Sequence, residues 1–375
     1  MKLLDYCEIS NKKVLKYDGE KKYIATGDLE KNLIVNSTMV TFENKPSRAN
    51  LLLNENELLF AKMKNTNKVL IGNLENINNI YSTGFYCLKT KDSLFPKFLY
   101  YYLNSQKFNF QKDLYCSGAT MKSINDKGLN KIEVEFPSKE EQLKLIKLCD
   151  NIYKMIDIKS KMIKDCNDLI NSKYIELFGN DKDSKYEIVN LADVTSNITD
   201  GVHSKPKYTE KGIPFISVKD ITTGTLKFDD CKYISKEDSI IYNKRCNPEK
   251  NDILYTKVGA TYGRSAIINT NDVFSLYVSV CLIKPQKEII DPMYLNYTMS
   301  QPYVKAQADK SIKGIGVPDL HLVEIKKFKI ILPPMELQKK FSDFAIKIDK
   351  LKQVYENEII DLNNMFNSII NKYIK

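Results

Sequence analysis

Arg264 stands in the stretch KVGATYGRSA with Lys257, Thr261, Tyr262 and Ser265, a cluster of hydrogen-bonding side chains around two glycines. Such a set suits base-edge recognition. Arg and Lys pair with guanine and Asn or Gln with adenine, and glycine lets the backbone approach a ligand closely. A second stretch, NITDGVHSKPKY, offers Thr199, Asp200, Gly201, His203 and Lys205, and PFISVK adds Lys219. In the first half of the chain, FENKPSRAN and AKMKNTNK place Arg48, Lys62, Lys64 and Asn65 comparably. One polar, glycine-containing loop is an ordinary solvated connection. Two such sets in one chain point to a partner.

Bond-making chemistry finds no matching pattern. Adenine methylation needs a glycine-rich cofactor turn and an Asn/Asp-Pro-Pro-aromatic motif, whereas the only Pro-Pro pair follows Leu332. Clustered carboxylates with a lysine, as metal-dependent phosphodiester cleavage requires, are not evident. Only two histidines occur, His203 and His321, and there is no G-x-S-x-G. The eight cysteines include no C-x-x-C pair, which argues against a zinc site or a disulfide framework. The glycine-containing runs SGATMKSIND and GIGVPDL, in which Gly118 and Gly314 align, lack the spacing of a phosphate loop and read as turns. Absence from every class at once favours a binding protein. The expectation is that this chain binds no metal and no cofactor.

Composition agrees with a soluble, basic protein. The net charge is +10, yet only three of the 57 basic residues are Arg, so charge alone does not separate DNA binding from a lysine-rich bias. No window approaches ~18 consecutive apolar residues, and MKLLDYCEIS has acids too early for a signal peptide. A cytoplasmic location is expected.

The elements that must carry these loops come in duplicate. At 375 residues the chain is long for one core. Shifted by 196, Pro96 to Gln142 lies on Pro292 to Gln338 without a gap, and ten of the 47 positions are identical. Composition alone gives roughly three. With a shift of 195, LLFAKM at Leu58 lies on ILYTKV at Ile253. FPSKEEQLKLI and LPPMELQKKFS, in register at 196, each read as a helix start: Ser138 and Glu141 have capping-box spacing, and Pro334 suits a first turn.

Each start opens an apolar seam at alternating four and three spacing. The first runs Leu145, Cys149, Ile152, Ile156, Lys159, Ile163, Cys166, Ile170, Lys173, Leu177; the second runs Phe341, Ala345, Ile348, Lys352, Tyr355, Ile359, Leu362, Phe366, Ile369, Tyr373. Two seams of equal length can bury each other as an antiparallel pair. A helix of about 40 residues extends ~60 Å, too long to lie wholly on a domain of radius of gyration ~14 Å. The expected fold is therefore α/β, two repeated globular regions separated by two long antiparallel coiled-coil helices, pseudo-twofold symmetric. Strand order is not readable.

The order of parts resembles the specificity subunits of Type I restriction-modification systems. LPPMELQKKF and FPSKEEQLKLI are similar to that family's Pro-Pro-x-x-Glu-Gln helix start, NDILYTKVGATYGRSAII and NELLFAKMKNTNKVLIG to its strand and loop, and NITDGVHSKPKY to its Thr-Asp-Gly loop. The first copy departs in having Phe-Pro-Ser and no Thr-Asp-Gly loop, and the second has Leu337 before Gln338. The resemblance implies target recognition domains at 1–136 and 181–332 and spacer helices at 137–180 and 333–375. It implies a non-catalytic reader of a bipartite sequence in double-stranded DNA. Two modification subunits would bring S-adenosylmethionine to methylate adenine N6 on a flipped base, and ATP-dependent restriction subunits would join them. A methyltransferase or nuclease with unrecognised motifs, and a coiled-coil scaffold without DNA affinity, are the alternatives.

Overall fold

The protein is described from a computed structural model covering residues 1–10, 12–180, 182–313 and 316–375. Gly314, one of the paired glycines, lies outside the described residues. The chain forms two compact units, residues 1–162 with 354–375, and residues 163–353. Their boundaries fall inside the two long helices, Lys139–Phe178 and Met335–Tyr373, so each unit holds one globular region and part of both helices.

In the first unit a four-stranded antiparallel sheet is ordered Cys7–Ile9, Phe85–Thr90, Leu58–Ala61, Val69–Ile71. Its inner strands are apolar and buried, as a covered sheet requires. A second sheet sets Lys21–Ile24 parallel to Ile80–Ser82. Helices Pro96–Asn104 and Gln106–Leu114 follow, the second capped by the Ser105 hydroxyl on Phe108 N.

The second unit repeats this plan. Its four-stranded sheet runs Thr195–Asp200, Val280–Pro285, Ile253–Thr256, Ser265–Ile267. Ile213–Ile216 lies parallel to Ser275–Leu276, and helices Pro292–Met299 and Pro302–Ser311 occupy the place of the earlier pair.

The two duplicated motifs begin the long helices. Ser138 and Glu141 form the capping box: Glu141 Oε2 accepts from Ser138 N at 3.1 Å and Glu141 N donates to Ser138 Oγ at 3.4 Å. Gln142, fully buried, accepts from Phe95 N at 3.0 Å and donates to Ser93 O at 3.0 Å and Pro137 O at 2.9 Å. Gln338 makes the same three bonds 196 residues later, to Asp291 N at 2.7 Å, Ile289 O at 3.3 Å and Pro333 O at 2.7 Å. Gln111 and Gln307 also match, each exchanging two bonds with the backbone of Glu133 and Lys329.

Within each unit the helix segments run antiparallel. In the first, Tyr153 packs on Phe366 with ring centroids 5.4 Å apart, and further along Lys159 reaches Glu358 at 2.8 Å and covers the Tyr355 ring at 4.8 Å. In the second, Asn167 accepts from Lys352 at 3.2 Å, and Tyr174 packs on Phe341 at 5.5 Å. Leu145, Ile152, Ile170, Phe341, Leu362 and Phe366 are buried, while Ile156, Ile163, Ile348, Tyr355 and Ile359 are half-buried. Towards the helix ends the fully buried positions move one residue on, to Tyr174, Phe178, Ile370 and Ile374 instead of Lys173, Leu177, Ile369 and Tyr373. A helix of 3.6 residues per turn drifts by ~20° per heptad against a strict 3.5 repeat. Without full supercoiling, spacing by four keeps the contact.

Candidate nucleic-acid interface

Strand Thr195–Asp200 buries Ile198, and side chains two apart share a face, so Asp200 also points inward and is 2% exposed. Opposite it lies Cys281, which in turn faces Tyr255, so the chain leaving Thr256 delivers Lys257 to the same end of the sheet. Lys257 Nζ stands 3.4 Å from Asp200 Oδ2 and 3.6 Å from Asp319 Oδ1. Arg245, just after helix Lys236–Asn243, donates from Nη2 to Asp200 Oδ1 at 2.6 Å, and His203 Nε2 lies 3.1 Å from the same oxygen. A charge buried to this degree is tolerated only with such partners. Beside it, burial first and the Asp200 charge second push the Cys246 thiol up to about 12.

Three loops interlock around this cluster. Lys313 and Asp319 exchange backbone bonds at 3.0 Å, Gly259 N donates to Pro318 O at 2.9 Å, and Leu320 N to Lys257 O at 2.8 Å. Thr256 Oγ1 donates to Thr261 O at 2.7 Å and accepts from Arg264 N at 2.8 Å, closing the loop between them. Gly201 is required by close approach: a Cβ there would lie 2.0 Å from Leu276 O.

The first unit builds the same frame. Ser117 and Ser123 exchange backbone bonds at 2.9 and 3.0 Å, Lys64 N donates to Lys122 O at 2.9 Å, and Ile124 N to Lys62 O at 2.9 Å. Each of these sits 195 or 196 residues before its counterpart. The side chains differ. Lys62, the counterpart of Lys257, lies over the Tyr86 ring at 4.1 Å; burial lowers its pKa, partly offset by Asp126. Asn65 adopts a left-handed conformation, φ 58°, with its N–H donating to Asp113 Oδ1 at 3.0 Å.

Of the residues expected to contact a partner, Arg48, Lys64, Asn65, His203, Lys205, Thr261 and Arg264 are exposed. Thr199 and Tyr262 are half-buried, and the Tyr262 hydroxyl donates to Asp309 Oδ1 at 2.6 Å. Lys219 is exposed but paired with Asp230 Oδ2 at 2.9 Å. Asp200, Gly201, Lys257 and Ser265 face inward, so their part is to hold the loops. Ser265 Oγ, for example, donates to Asn296 O at 3.0 Å and lies 2.7 Å from Ser300 Oγ. Arg245 and Asp319 also belong to the cluster; Arg245 stands in none of the stretches first singled out, and Asp319 stands in GIGVPDL, which reads as a turn. The rarity of Arg is the signal for the former.

Among the described residues no group of three or more His, Cys, Asp and Glu is placed to hold a metal, and no helix is long and apolar enough to cross a membrane. Duplicated loop frames carrying exposed cations, amides and hydroxyls define a recognition protein with two readers. The family model for the Type I restriction modification DNA specificity domain matches residues 1–166 and 183–364. The chain belongs to that family and is a specificity subunit of the Type I kind.

The EcoBI specificity subunit of Escherichia coli is 32% identical over 165 residues, 43% of this chain and 34% of that protein, so the match spans about a third of the relative. The MjaVIII specificity subunit of Methanocaldococcus jannaschii is 21% identical over 374 residues, 94% of this chain and 85% of that one. A solved structure described as the basis of complex assembly and conformational transition of the Type I R-M system covers all of this chain and 96% of its own, with a TM-score of 0.54 at 17% identity. That likeness shows the fold.

Proposed function

We propose that this chain reads a bipartite sequence in double-stranded DNA, one half-site per unit, and itself catalyses nothing. The observation that carries the reading is the recurrence of one loop frame, bond for bond, in both units, with a different set of exposed donors on each. Base-edge contacts would supply discrimination at ~1–3 kcal/mol each, on a salt-dependent phosphate background. The length of the continuous helices would set the unread spacer.

The helices would also dock two modification subunits. Each keeps a second apolar stripe exposed, Met155, Ile158 and Leu169 on the first and Leu351, Val354 and Met365 on the second, at positions related by 196. Two equivalent stripes fit two copies of one partner. Those subunits would carry S-adenosylmethionine and methylate adenine N6, restriction subunits would bind ATP, and the complex would work in the cytoplasm. Mapping N6-methyladenine across the genome with and without this gene tests the reading. Loss of one bipartite motif is expected; unchanged methylation, or methylation or cutting by the purified chain alone, overturns it.

A further inference from the structure

Arg245 is one of only three arginines among 57 basic residues, and among the described residues it alone of the three is held by a buried acid. Its side chain is 56% exposed, whereas the Asp200 carboxylate that accepts from it is 3% exposed. Both of its contacts, to Asp200 Oδ1 at 2.6 Å and His203 Nε2 at 3.4 Å, are made through Nη2. Among the described residues Nε and Nη1 carry no intramolecular hydrogen bond. Asp200 is itself fixed by the sheet and by Lys257 at 3.4 Å. The guanidinium is thus aimed from a rigid base with part of its planar fork of donors free, and that fork is what separates Arg from Lys.

The charges in this cluster decide what the fork is for. Arg245 and Lys257 stand against Asp200 and Asp319, two positive and two negative. A locally neutral cluster contributes little to phosphate attraction, which grows with the cations that displace counterions. It keeps its directional donors, and oriented donors without net charge serve base edges better than backbone phosphates. Arg264 and Lys205 differ from it, being exposed cations with no ion pair among the described residues.

Resting on the reading that the chain recognises DNA, we infer that Arg245, positioned by Asp200, is a specificity-determining side chain of the second unit that recognises one guanine in its half-site. The Thr-Asp-Gly stretch occurs only in the second half, and among the described residues of the first unit no arginine is paired with a buried acid.

The test uses the full chain with its modification subunits and a duplex library randomised over both half-sites, selected by binding at several salt concentrations. Arg245→Lys keeps the charge beside Asp200 and loses only the planar fork, so a purely electrostatic role tolerates it. For base reading, R245K and R245A should collapse a roughly ten- to hundredfold guanine preference at one position towards none. The other half-site and the slope of log affinity against log salt should stay unchanged. Asp200→Asn should weaken the same preference without moving it to another position. The inference is overturned if R245K retains the wild-type preference at every position, or if R245A weakens all sequences alike and flattens the salt slope. Wild-type complex selecting no bipartite sequence would sink the DNA-reading proposal itself.

Discussion

Replacing Gln142 or Gln338 by alanine should destabilise the unit that contains it by about the same amount in either copy. Each side chain is fully buried and makes three bonds to backbone at a helix start: one acceptor for an N–H and two donations to carbonyls. At a net ~1 kcal/mol per bond the loss is about 3 kcal/mol. It could exceed this because the amides of Phe95 and Asp291 are left without a partner in a site that water does not readily reach. Gln→Glu should do comparable damage despite its equal size, since it exchanges a donor for an acceptor facing two carbonyls. Urea unfolding of a chain with two compact units need not be two-state, so the better assay is native-state amide hydrogen exchange. Q142A should speed exchange around Phe95 and at the start of the first long helix and leave the surroundings of Asp291 at the wild-type rate; Q338A should do the reverse. A change below ~0.5 kcal/mol in both variants would refute the account, because it would mean that water or relaxation satisfies those groups at no cost.

Four other perturbations separate packing, docking, reading and titration. Phe341→Ala removes a fully buried ring that meets Tyr174, Phe178, Tyr294 and Tyr297. It should cost ~3–5 kcal/mol, read as accelerated exchange across residues 170–178. Met155→Glu with Leu351→Glu should abolish co-purification with the modification subunits while leaving circular dichroism unchanged; an intact complex would place docking elsewhere. Arg264→Ala should reduce the salt slope of DNA binding by ~0.9 if it meets one phosphate, and an unchanged slope would assign it elsewhere. Burial alone would raise the Glu57 carboxyl, but bonds from Asn54 N–H, the Ser10 hydroxyl and the Asn54 amide outweigh it and hold its pKa down. Its contribution is therefore present above the unfolded value of ~4.3 and lost as pH falls through the folded one. Glu57→Gln should flatten that part of the acid-stability profile, and a profile identical to wild type would contradict the assignment.

What the sequence made legible was local. The capping box at Ser138, the inner strands and the first turns of both seams depend on spacings of two, three and four residues. The sheet order was hidden because Cys7–Ile9 pairs with Phe85–Thr90 across some eighty residues. The inward face of Asp200 could have been read from the same strand: Ile198 is apolar, and period two puts Asp200 beside it. Arg245 could not be tied to Asp200, since the ion pair joins positions 45 residues apart. The shift of the seam to Phe178 and Ile370 follows from helix geometry and not from residue type, as Leu177 and Ile369 are as apolar as the positions beside them, whereas at Lys173 and Tyr174 residue type points the same way.

The recurring contacts of the helix starts and of the loop frame share one property: they end on backbone. Gln142 and Gln338, Gln111 and Gln307, and the pairs Ser117 with Ser123 and Lys313 with Asp319 all bond peptide groups, which every sequence supplies. Contacts between side chains in the loops diverge. Lys257 pairs with Asp200 and Asp319, whereas Lys62 at the equivalent place lies on Tyr86. The bonds of the frame that recur join peptide groups, so they tolerate replacement of the exposed side chains that the loops carry. That division lets two copies of one scaffold hold different donors, which is what the proposed reading of two unlike half-sites with one chain requires.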